Sequence, residues 1–271
     1  MTVHFLNCFT CSARVASHWR TGQLCLLIET DRGLLLVDTG LGRGDYARPP
    51  AILRAFRLLT RIPMDPRVTA VHQVTQLGHQ PEDVRHIVLT HLHFDHSGGL
   101  PDFPHATVHV HRREYEAFAR FPRRLSDLGY VRRHGAHEPE LALYDDGGEK
   151  WFDFPAIRLP FELEMWLVPL FGHTQGHCGV AVRTESGWLF NVGSAAPIGF
   201  TEQVPPWLTR LMVGPHELRL RAFRASHPDV RMTTGHMWLD FFEDSSNHTT
   251  AVGPGSPLES ATGPAVWRSR P

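Results

Sequence analysis

The order of apolar and polar residues along the chain predicts several short strands. Residues 24–40, LCLLIETDRGLLLVDTG, hold two apolar runs around Asp-Arg-Gly, which predicts two strands joined by a tight turn. A helical turn in PEDVR should lead into a buried strand from Ile87 to Thr90. Further apolar runs predict strands in ATVHVH, MWLVPL, GVAVRTE, GWLFNVG and RMTTGH.

Helical periodicity appears between these runs. It predicts helices in residues 68–79, ending near Gly78, and in RREYEAFARF and GPHELRLRAFRASHPDV. The segment LGRGDYARPP predicts a loop, and residues 121–162 predict irregular structure. Runs of strands separated by helices predict an α/β architecture, with two sheets covered by helices in a layered sandwich.

The length and the composition predict one domain and a tail. With 271 residues, 42% of them hydrophobic, the chain is long enough for a large core. We predict a single domain over residues 1–243. Residues 244–271 are rich in Ser, Gly, Pro and Thr without periodicity, which predicts a disordered C-terminal tail.

The charge and the termini bear on partners and location. A formal net charge of −1 and a pI of about 7.0 argue against a nucleic-acid or membrane-surface partner. No apolar run approaches the ~18 residues of a membrane span. The first residues lack the basic start and apolar core of a signal peptide, so we expect a cytoplasmic protein.

The four cysteines do not form a recognisable metal motif. Cys8 and Cys11 make a C-x-x-C without a second pair, which is weak evidence for a zinc or redox site. We therefore expect free thiols in a reducing compartment.

The richest candidate chemistry is in VLTHLHFDHSGGL, residues 88–100. His91 and His93 are one residue apart, so in an extended segment both side chains leave on the same side and can share one metal. Asp95 and His96 follow and could serve a second metal. Further along, His173 in LFGHTQGHCG and His236 in RMTTGHMW each follow an apolar run. Together these residues supply three ligands for each of two sites.

These motifs, in this order, resemble the metallo-β-lactamase superfamily. The matching segments are VDTG (37–40), THLHFDHSGG (90–99), GHTQGH (172–177), NVGSAAP (191–197) and TTGH (233–236), and they cover about residues 20–240. The resemblance implies a four-layer αβ/βα sandwich with its metals at one edge between two sheets.

The resemblance also implies a role for each candidate residue. His91, His93 and His173 would bind the first metal, and Asp95, His96 and His236 the second. Asp38 would orient a ligand histidine, and His177 would lie near the site without binding metal. The implied metal is zinc, one ion or two, although iron, manganese and cobalt accept the same ligands.

Ser194 departs from the pattern of the lactonases and glyoxalase II. Those enzymes carry an aspartate after the glycine, and it bridges both metals; here Gly193 is followed by Ser194. A neutral hydroxyl is a poorer ligand than a carboxylate, so the second site should lose more affinity than the first. One subclass of true metallo-β-lactamases also has serine there.

The predicted activity is attack of a metal-bound hydroxide on a lactone or ester carbonyl, with Asp95 as the catalytic residue that orients the nucleophile or takes its proton as a general base. Phe94, Phe171, Phe200 and Trp207 are near the motifs in sequence, and any of them that line the cleft would favour a small substrate with an apolar acyl part. Two alternatives are β-lactam hydrolysis and a degenerate, non-catalytic member that only binds metal or ligand. The sequence does not predict an oligomeric state.

Overall fold

The chain forms two β-sheets that lie face to face. The structure is a computed structural model, and it describes residues 1–14, 19–120, 124–201 and 206–244. The predicted tail, apart from Asp244, therefore lies outside the described residues. The strands, in chain order, are β1 (Thr2–Ala13), β2 (Arg20–Thr30), β3 (Gly33–Val37), β4 (Thr60–Arg61), β5 (Val84–Val88), β6 (Thr107–His111), β7 (Leu141–Tyr144), β8 (Glu149–Trp151), β9 (Phe154–Arg158), β10 (Met165–Pro169), β11 (Cys178–Thr184), β12 (Gly187–Asn191), β13 (Val230–Thr233) and β14 (His236–Trp238).

Most strands pair with a neighbour in sequence. The first sheet has eight strands in the order β4-β1-β2-β3-β5-β6-β7, with β14 paired to β2. The second has six, in the order β13-β12-β11-β10-β9-β8. β3, β5, β6 and β7 run parallel, so the loops that follow β3 and β5 open at the same edge of the first sheet.

Helices connect the strands of both sheets, and some of them cover the outer faces of the sheets. They are α1 (Arg43–Ala47), α2 (Ala51–Leu59), α3 (Ala70–Gln76), α4 (Phe94–Ser97), α5 (Arg112–Ala119), α6 (Pro206–Val213), α7 (Glu217–Ser226) and α8 (Leu239–Glu243). Within the part of the chain that the structure describes, no helix has both the length and the apolar character needed to cross a bilayer.

The burial pattern of β2 explains the layers. Leu24, Leu26 and Ile28 point into the core between the two sheets, whereas Cys25 and Leu27 point into the core between the first sheet and its helices. A strand buried on both faces lies in an inner layer, because side chains alternate along it.

The two outer cores complete the sandwich. Val71 and Val74 of α3 and Phe118 of α5 pack in the core on the outer face of the first sheet, and Leu220 and Phe223 of α7 in that of the second. The order helix, sheet, sheet, helix confirms the predicted four-layer αβ/βα sandwich.

Several elements differ from the sequence prediction. Residues 121–162 were expected to be irregular, but they contain β7, β8 and β9, whose short runs show little alternation. The predicted loop before Pro50 contains α1, and α2 follows it. The N-terminal β1 was not predicted either, because its register shift between Asn7 and Thr10 interrupts the period of two.

Gly40 gives a direct test of the packing at the edge that holds the site. Its φ is +65°, and an added Cβ would lie 2.3 Å from Cβ of Cys8. We expect Gly40→Ala to lower the free energy of unfolding by about 2 kcal/mol or more, because it adds backbone strain to a clash. Urea denaturation measures this.

Gly44→Ala is the matched control, because Gly44 lies in α1 with no atom within 4 Å of an added Cβ. That variant should keep or gain up to about 1 kcal/mol of stability. Overlapping unfolding curves for Gly40→Ala and the wild type would contradict the packing described here.

Candidate metal centre

The loop after β5 carries four of the predicted site residues. The strand ends at Val88, two residues before the predicted end, and the chain bends at Thr90. His91 and His93 lie between this bend and α4, and the backbone of His93 is extended, with a ψ of 155°. Asp95 and His96 were expected at a strand end, but they lie in the single turn of α4.

The first group of candidate ligands consists of His91, His93 and His173. Each offers a ring nitrogen, and these nitrogens lie within 4.8 Å of one another. Nε2 of His173 is 3.1 Å from Nδ1 of His93. Two nitrogens on one tetrahedral zinc would be about 3.3 Å apart, given bonds of about 2.0–2.1 Å.

The second group consists of Asp95, His96 and His236, whose offered atoms also lie within 4.8 Å of one another. Oδ2 of Asp95 is 3.3 Å from Nε2 of His236. His236 is the first residue of β14, and it pairs with Gln23 of β2. The rings of His91 and His96 are 3.9 Å apart between centroids, so the two groups adjoin.

Hydrogen bonds from the outward-facing ring nitrogens orient two of the three histidines in the first group. His93 donates through Nε2 to the carbonyl of Ser126 at 2.9 Å, and His173 donates through Nδ1 to that of Met212 at 2.7 Å. Each ring therefore presents its other nitrogen, as a lone pair, to the centre of the group. This is the arrangement that metal-binding histidines need.

Asp38 connects the two groups. It is fully buried at the end of β3, and it adopts a φ of +59°. Its carboxylate accepts hydrogen bonds from the amide and the hydroxyl of Thr90 and from Nδ1 of His96, each at 2.8 Å. The Thr90 hydroxyl in turn lies 3.0 Å from Nδ1 of His91, from which it can accept a hydrogen bond.

Ser194 and His177 lie beside the two groups. The Ser194 hydroxyl is 3.5 Å from Nε2 of His96. The Ser194 amide donates to Nε2 of His177 at 2.9 Å, and His177 donates through Nδ1 to the carbonyl of Leu170. Both ring nitrogens of His177 are therefore used, which leaves it no lone pair for a metal.

Glu114 is a site residue that the sequence analysis missed. It is buried in α5, and its carboxylate accepts four hydrogen bonds. The amide of Leu92 and the hydroxyl of Tyr130 donate to Oε1; the hydroxyl of Thr174 and the amide of Gly176 donate to Oε2. Glu114 thereby joins the loop of His91 and His93 to the loop of His173. Nothing in its helical context distinguishes it from a surface glutamate.

Burial governs the protonation of the histidines. It lowers the pKa of His93 to about 3 and that of His173 to about 4, and it places the pKa of His91 well below its usual value. Burial acts in the same direction on His96, but the carboxylates of Asp38 and Asp95 outweigh it and raise that pKa.

Asp95 is held ionised. Burial opposes its charge, yet His96 and His236 outweigh this and lower the pKa of Asp95. The second group therefore carries one fixed negative charge, whereas the first consists of neutral imidazoles.

These residues fit a metal ion. Nε2 of His91 is buried and has no hydrogen-bond partner among the described residues, which is costly unless another group occupies that position. The nitrogen faces the other two imidazoles of its group. A tetrahedral cation would satisfy it together with Nδ1 of His93 and Nε2 of His173.

Of the four aromatic residues considered for the cleft, two are in cores. Phe94 packs with Phe9 and Leu53, and Phe200 packs in the core beneath α7. Phe171 is partly buried under the guanidinium of Arg113, 4.2 Å from the ring centroid. Only Trp207 among these four is exposed, with 71% of its surface accessible.

The role of Glu114 can be tested by Glu114→Gln. All four neighbours donate to the carboxylate, two to each oxygen. In the Gln variant an NH2 group replaces one of these oxygens, so a hydrogen-bond donor would point at two other donors. We expect a loss of about 2–4 kcal/mol in the free energy of unfolding of the metal-free protein. Tyr130→Phe, which removes only one of the four bonds, should lose about 1 kcal/mol. If Glu114→Gln is as stable as the wild type, the carboxylate does not join the loops.

The lowered histidine pKa values predict acid lability of the chelator-treated protein. In the unfolded chain these histidines take up protons below about pH 6.5. In the folded chain His173 and His93 do so only near pH 4 and 3. Stability should therefore fall as the pH drops from about 6.5 to 4.

Urea unfolding at several pH values measures this fall, and His173→Asn should make it shallower. The raised pKa of His96 acts in the opposite direction, but for one residue only. A stability that stays level from pH 7 to 5 would contradict the burial described here.

Comparison with known proteins agrees with this geometry. A probable metallo-hydrolase of Mycobacterium bovis is 41% identical over 198 residues, which are 71% of this chain and 62% of that protein. The chain thus spans about three fifths of the length of that relative. An N-acyl homoserine lactonase of Bacillus cereus is 33% identical over 193 residues, 67% of each chain.

The fold is also that of a solved lactonase structure. A variant of AiiA from B. thuringiensis, with N-decanoyl-L-homoserine bound at its active site, matches with a TM-score of 0.65 at 19% identity, over 90% of this chain and 96% of that one. The model of the metallo-beta-lactamase superfamily matches residues 18–236, a span that contains all six candidate ligands. The chain therefore belongs to the metallo-beta-lactamase superfamily, as its motifs predicted.

Proposed function

We propose that the protein is a metal-dependent hydrolase that opens a lactone or cleaves an ester. The observation that carries the proposal is the pair of adjoining ligand groups, His91, His93 and His173 beside Asp95, His96 and His236. In the first group the ring hydrogens of His93 and His173 are bonded away from the centre, so the lone pairs face it. The relatives named as metallo-hydrolase and lactonase support the same class of reaction.

Zinc is the metal we propose, as one ion in the first group or one in each. Three imidazoles, or two imidazoles and a carboxylate, with one position left open, are typical of catalytic zinc sites. Iron, manganese and cobalt use the same donors and remain alternatives. A zinc ion held by these residues would lower the pKa of a water to about 7 and polarise a carbonyl.

Asp95 is the proposed catalytic base. Its lowered pKa keeps the carboxylate ionised at neutral pH, so it can accept a proton from the attacking water. The same carboxyl group can then return that proton to the alcohol that leaves. His236, 3.3 Å away, fixes the position of the carboxylate.

Asp38 and Ser194 complete the proposed machinery. Asp38 keeps the proton of His96 on Nδ1, so that Nε2 faces the second group. Ser194 presents a neutral hydroxyl 3.5 Å from that Nε2, where the resemblance leads one to expect a carboxylate. The second group therefore has one anionic ligand, and it should hold its metal more weakly than a site with two.

The proposed substrate is a small lactone or ester with an apolar acyl part. Three exposed apolar side chains lie next to residues that orient the first group. Met212, whose carbonyl accepts a hydrogen bond from His173, is 57% accessible, and Trp207 is on the same helix. Leu128 is 55% accessible and lies two residues after Ser126, whose carbonyl accepts from His93. Such a rim favours an acyl chain. An N-acyl homoserine lactone is the first compound to assay, given the named relatives.

A cytoplasmic location is part of the proposal. Cys8, Cys11, Cys25 and Cys178 are all free, as expected in a reducing compartment. We propose no nucleic-acid or membrane partner for this activity.

The decisive experiment measures metal per chain and lactone hydrolysis on the same samples. We expect turnover in the wild type, with close to two zinc ions per chain. His91→Ala should lose the first ion and lower kcat/KM by at least about a hundredfold, whereas His105→Ala, at an exposed histidine outside both groups, should change neither.

Ser194→Asp separates the alternatives. If the wild type holds one ion or fewer and is inactive on lactones and esters while Ser194→Asp gains both metal and turnover, the native chain is a degenerate member and the proposal fails. Hydrolysis of a chromogenic β-lactam, without activity on lactones or esters, would instead favour the β-lactamase alternative.

A further inference from the structure

A cavity lies at the edge of the first sheet formed by β4 and β1. Its volume is about 420 Å³, and its walls come from the end of β1, the start of β2 and the α2–β4 segment. The lining residues are Thr10, Ser12, Arg14, Arg20, Arg57, Thr60, Arg61, Ile62 and Pro63. We call it the arginine cavity. None of the six candidate metal ligands lines it.

The described lining of this cavity carries charge of one sign. Of the nine described residues that line it, four are arginines and none is acidic. Among the described residues, no carboxylate lies within 4 Å of the guanidinium of Arg14, Arg57 or Arg61. Arg14 is instead bonded to the backbone carbonyl of Arg57.

Other arginines of the chain do have acidic partners. Arg43 pairs with Asp102 at 3.0 Å, and Arg67 pairs with Asp65 at 2.7 Å. The chain as a whole has a formal net charge of −1, so a cluster of four arginines does not follow from a basic composition. Guanidinium groups gathered in one cavity repel one another, and a bound anion would offset that repulsion.

The cavity also offers neutral donors. Thr10 and Ser12 alternate with Cys11 along β1, so both side chains lie on the face of the strand opposite to Cys11. The Thr10 hydroxyl accepts a hydrogen bond from the side-chain amide of Asn7, which leaves the hydrogen of the hydroxyl available. Guanidinium forks with neighbouring hydroxyls are the usual donors to a phosphate group.

The arginine cavity adjoins the core beneath the loop of the candidate ligands, because Ile62 lines the cavity and packs with Phe94 in that core. Cys11, on the other face, packs in the core that contains Phe94, the residue between His93 and Asp95. A ligand in the arginine cavity would therefore bind at a site that contains none of the six candidate metal ligands.

We propose that the arginine cavity binds a phosphate group that carries two or more negative charges. The phosphate belongs either to a soluble molecule or to a lipid headgroup, since the recognition chemistry is the same. The three guanidinium groups of Arg14, Arg57 and Arg61 exceed what a single carboxylate would neutralise, which favours a phosphate. This inference does not rest on the proposed hydrolase activity.

The first test is calorimetric titration of the full chain with inorganic pyrophosphate at constant ionic strength. We expect saturable binding, and we expect the double variant Arg57→Ala/Arg61→Ala to weaken it by at least about tenfold. Arg57→Lys/Arg61→Lys keeps the charge without the guanidinium fork, so its affinity should be intermediate. Circular dichroism confirms that each variant is folded.

The matched control is Arg48→Ala/Arg54→Ala. Arg48 precedes α2 and Arg54 lies within it; both are exposed, and neither lines the cavity. The double variant removes as much charge as Arg57→Ala/Arg61→Ala does. Its affinity for pyrophosphate should stay within about twofold of the wild type. If both double variants weaken binding equally, the attraction is general electrostatics and the proposal is overturned.

A second arm distinguishes the two sources of phosphate. Sedimentation with phosphatidic acid vesicles, compared with neutral phosphatidylcholine vesicles, tests a headgroup. Binding to the acidic vesicles that is lost in Arg57→Ala/Arg61→Ala supports a lipid source, and binding of pyrophosphate alone supports a soluble one. The proposal is overturned if neither probe shows saturable binding. It is also overturned if pyrophosphate binds at the histidine groups instead, so that Arg57→Ala/Arg61→Ala does not weaken its binding.

Discussion

The three hydrogen bonds accepted by Asp38 are the interaction on which the metal centre depends. They join the end of β3 to the loop after β5, and they set which nitrogen of His96 carries the proton. Through the Thr90 hydroxyl the same carboxylate also reaches His91. A buried, unpaired aspartate would be costly, so these donors and the carboxylate require each other. The residue keeps an unusual φ of +59° because this network holds it.

Local patterns in the sequence predicted two sheets covered by helices, and the resemblance to a family predicted the four-layer sandwich and the ligands of each metal. Alternation and turn residues locate most strands, and H-x-H-x-D-H is a contiguous motif. Glu114 could not be found this way, because it meets Leu92, Thr174 and Gly176 only after folding. The same holds for the carbonyls of Ser126 and Met212, which any residue type could supply.

Charge distribution distinguishes the two groups of candidate ligands. The first holds three imidazoles kept neutral by burial. The second has the carboxylate of Asp95, and Asp38 lies directly behind His96. With a hydroxyl at Ser194, Asp95 is the one carboxylate among the six candidate ligands. Two dications here would be less fully neutralised than in a site with a bridging carboxylate, so the chemistry of the two positions should not be equivalent.

The positions of the six candidate ligands along the chain have a consequence for how the chain could be divided into fragments. Four candidate ligands come from the loop after β5, whereas His173 follows β10 and His236 begins β14. Each group therefore takes two ligands from the N-terminal part of the chain and one from the C-terminal part. Two fragments made by cutting between β7 and β10 would each carry incomplete groups. One metal ion bound in each group would then cross-link the two fragments at two points.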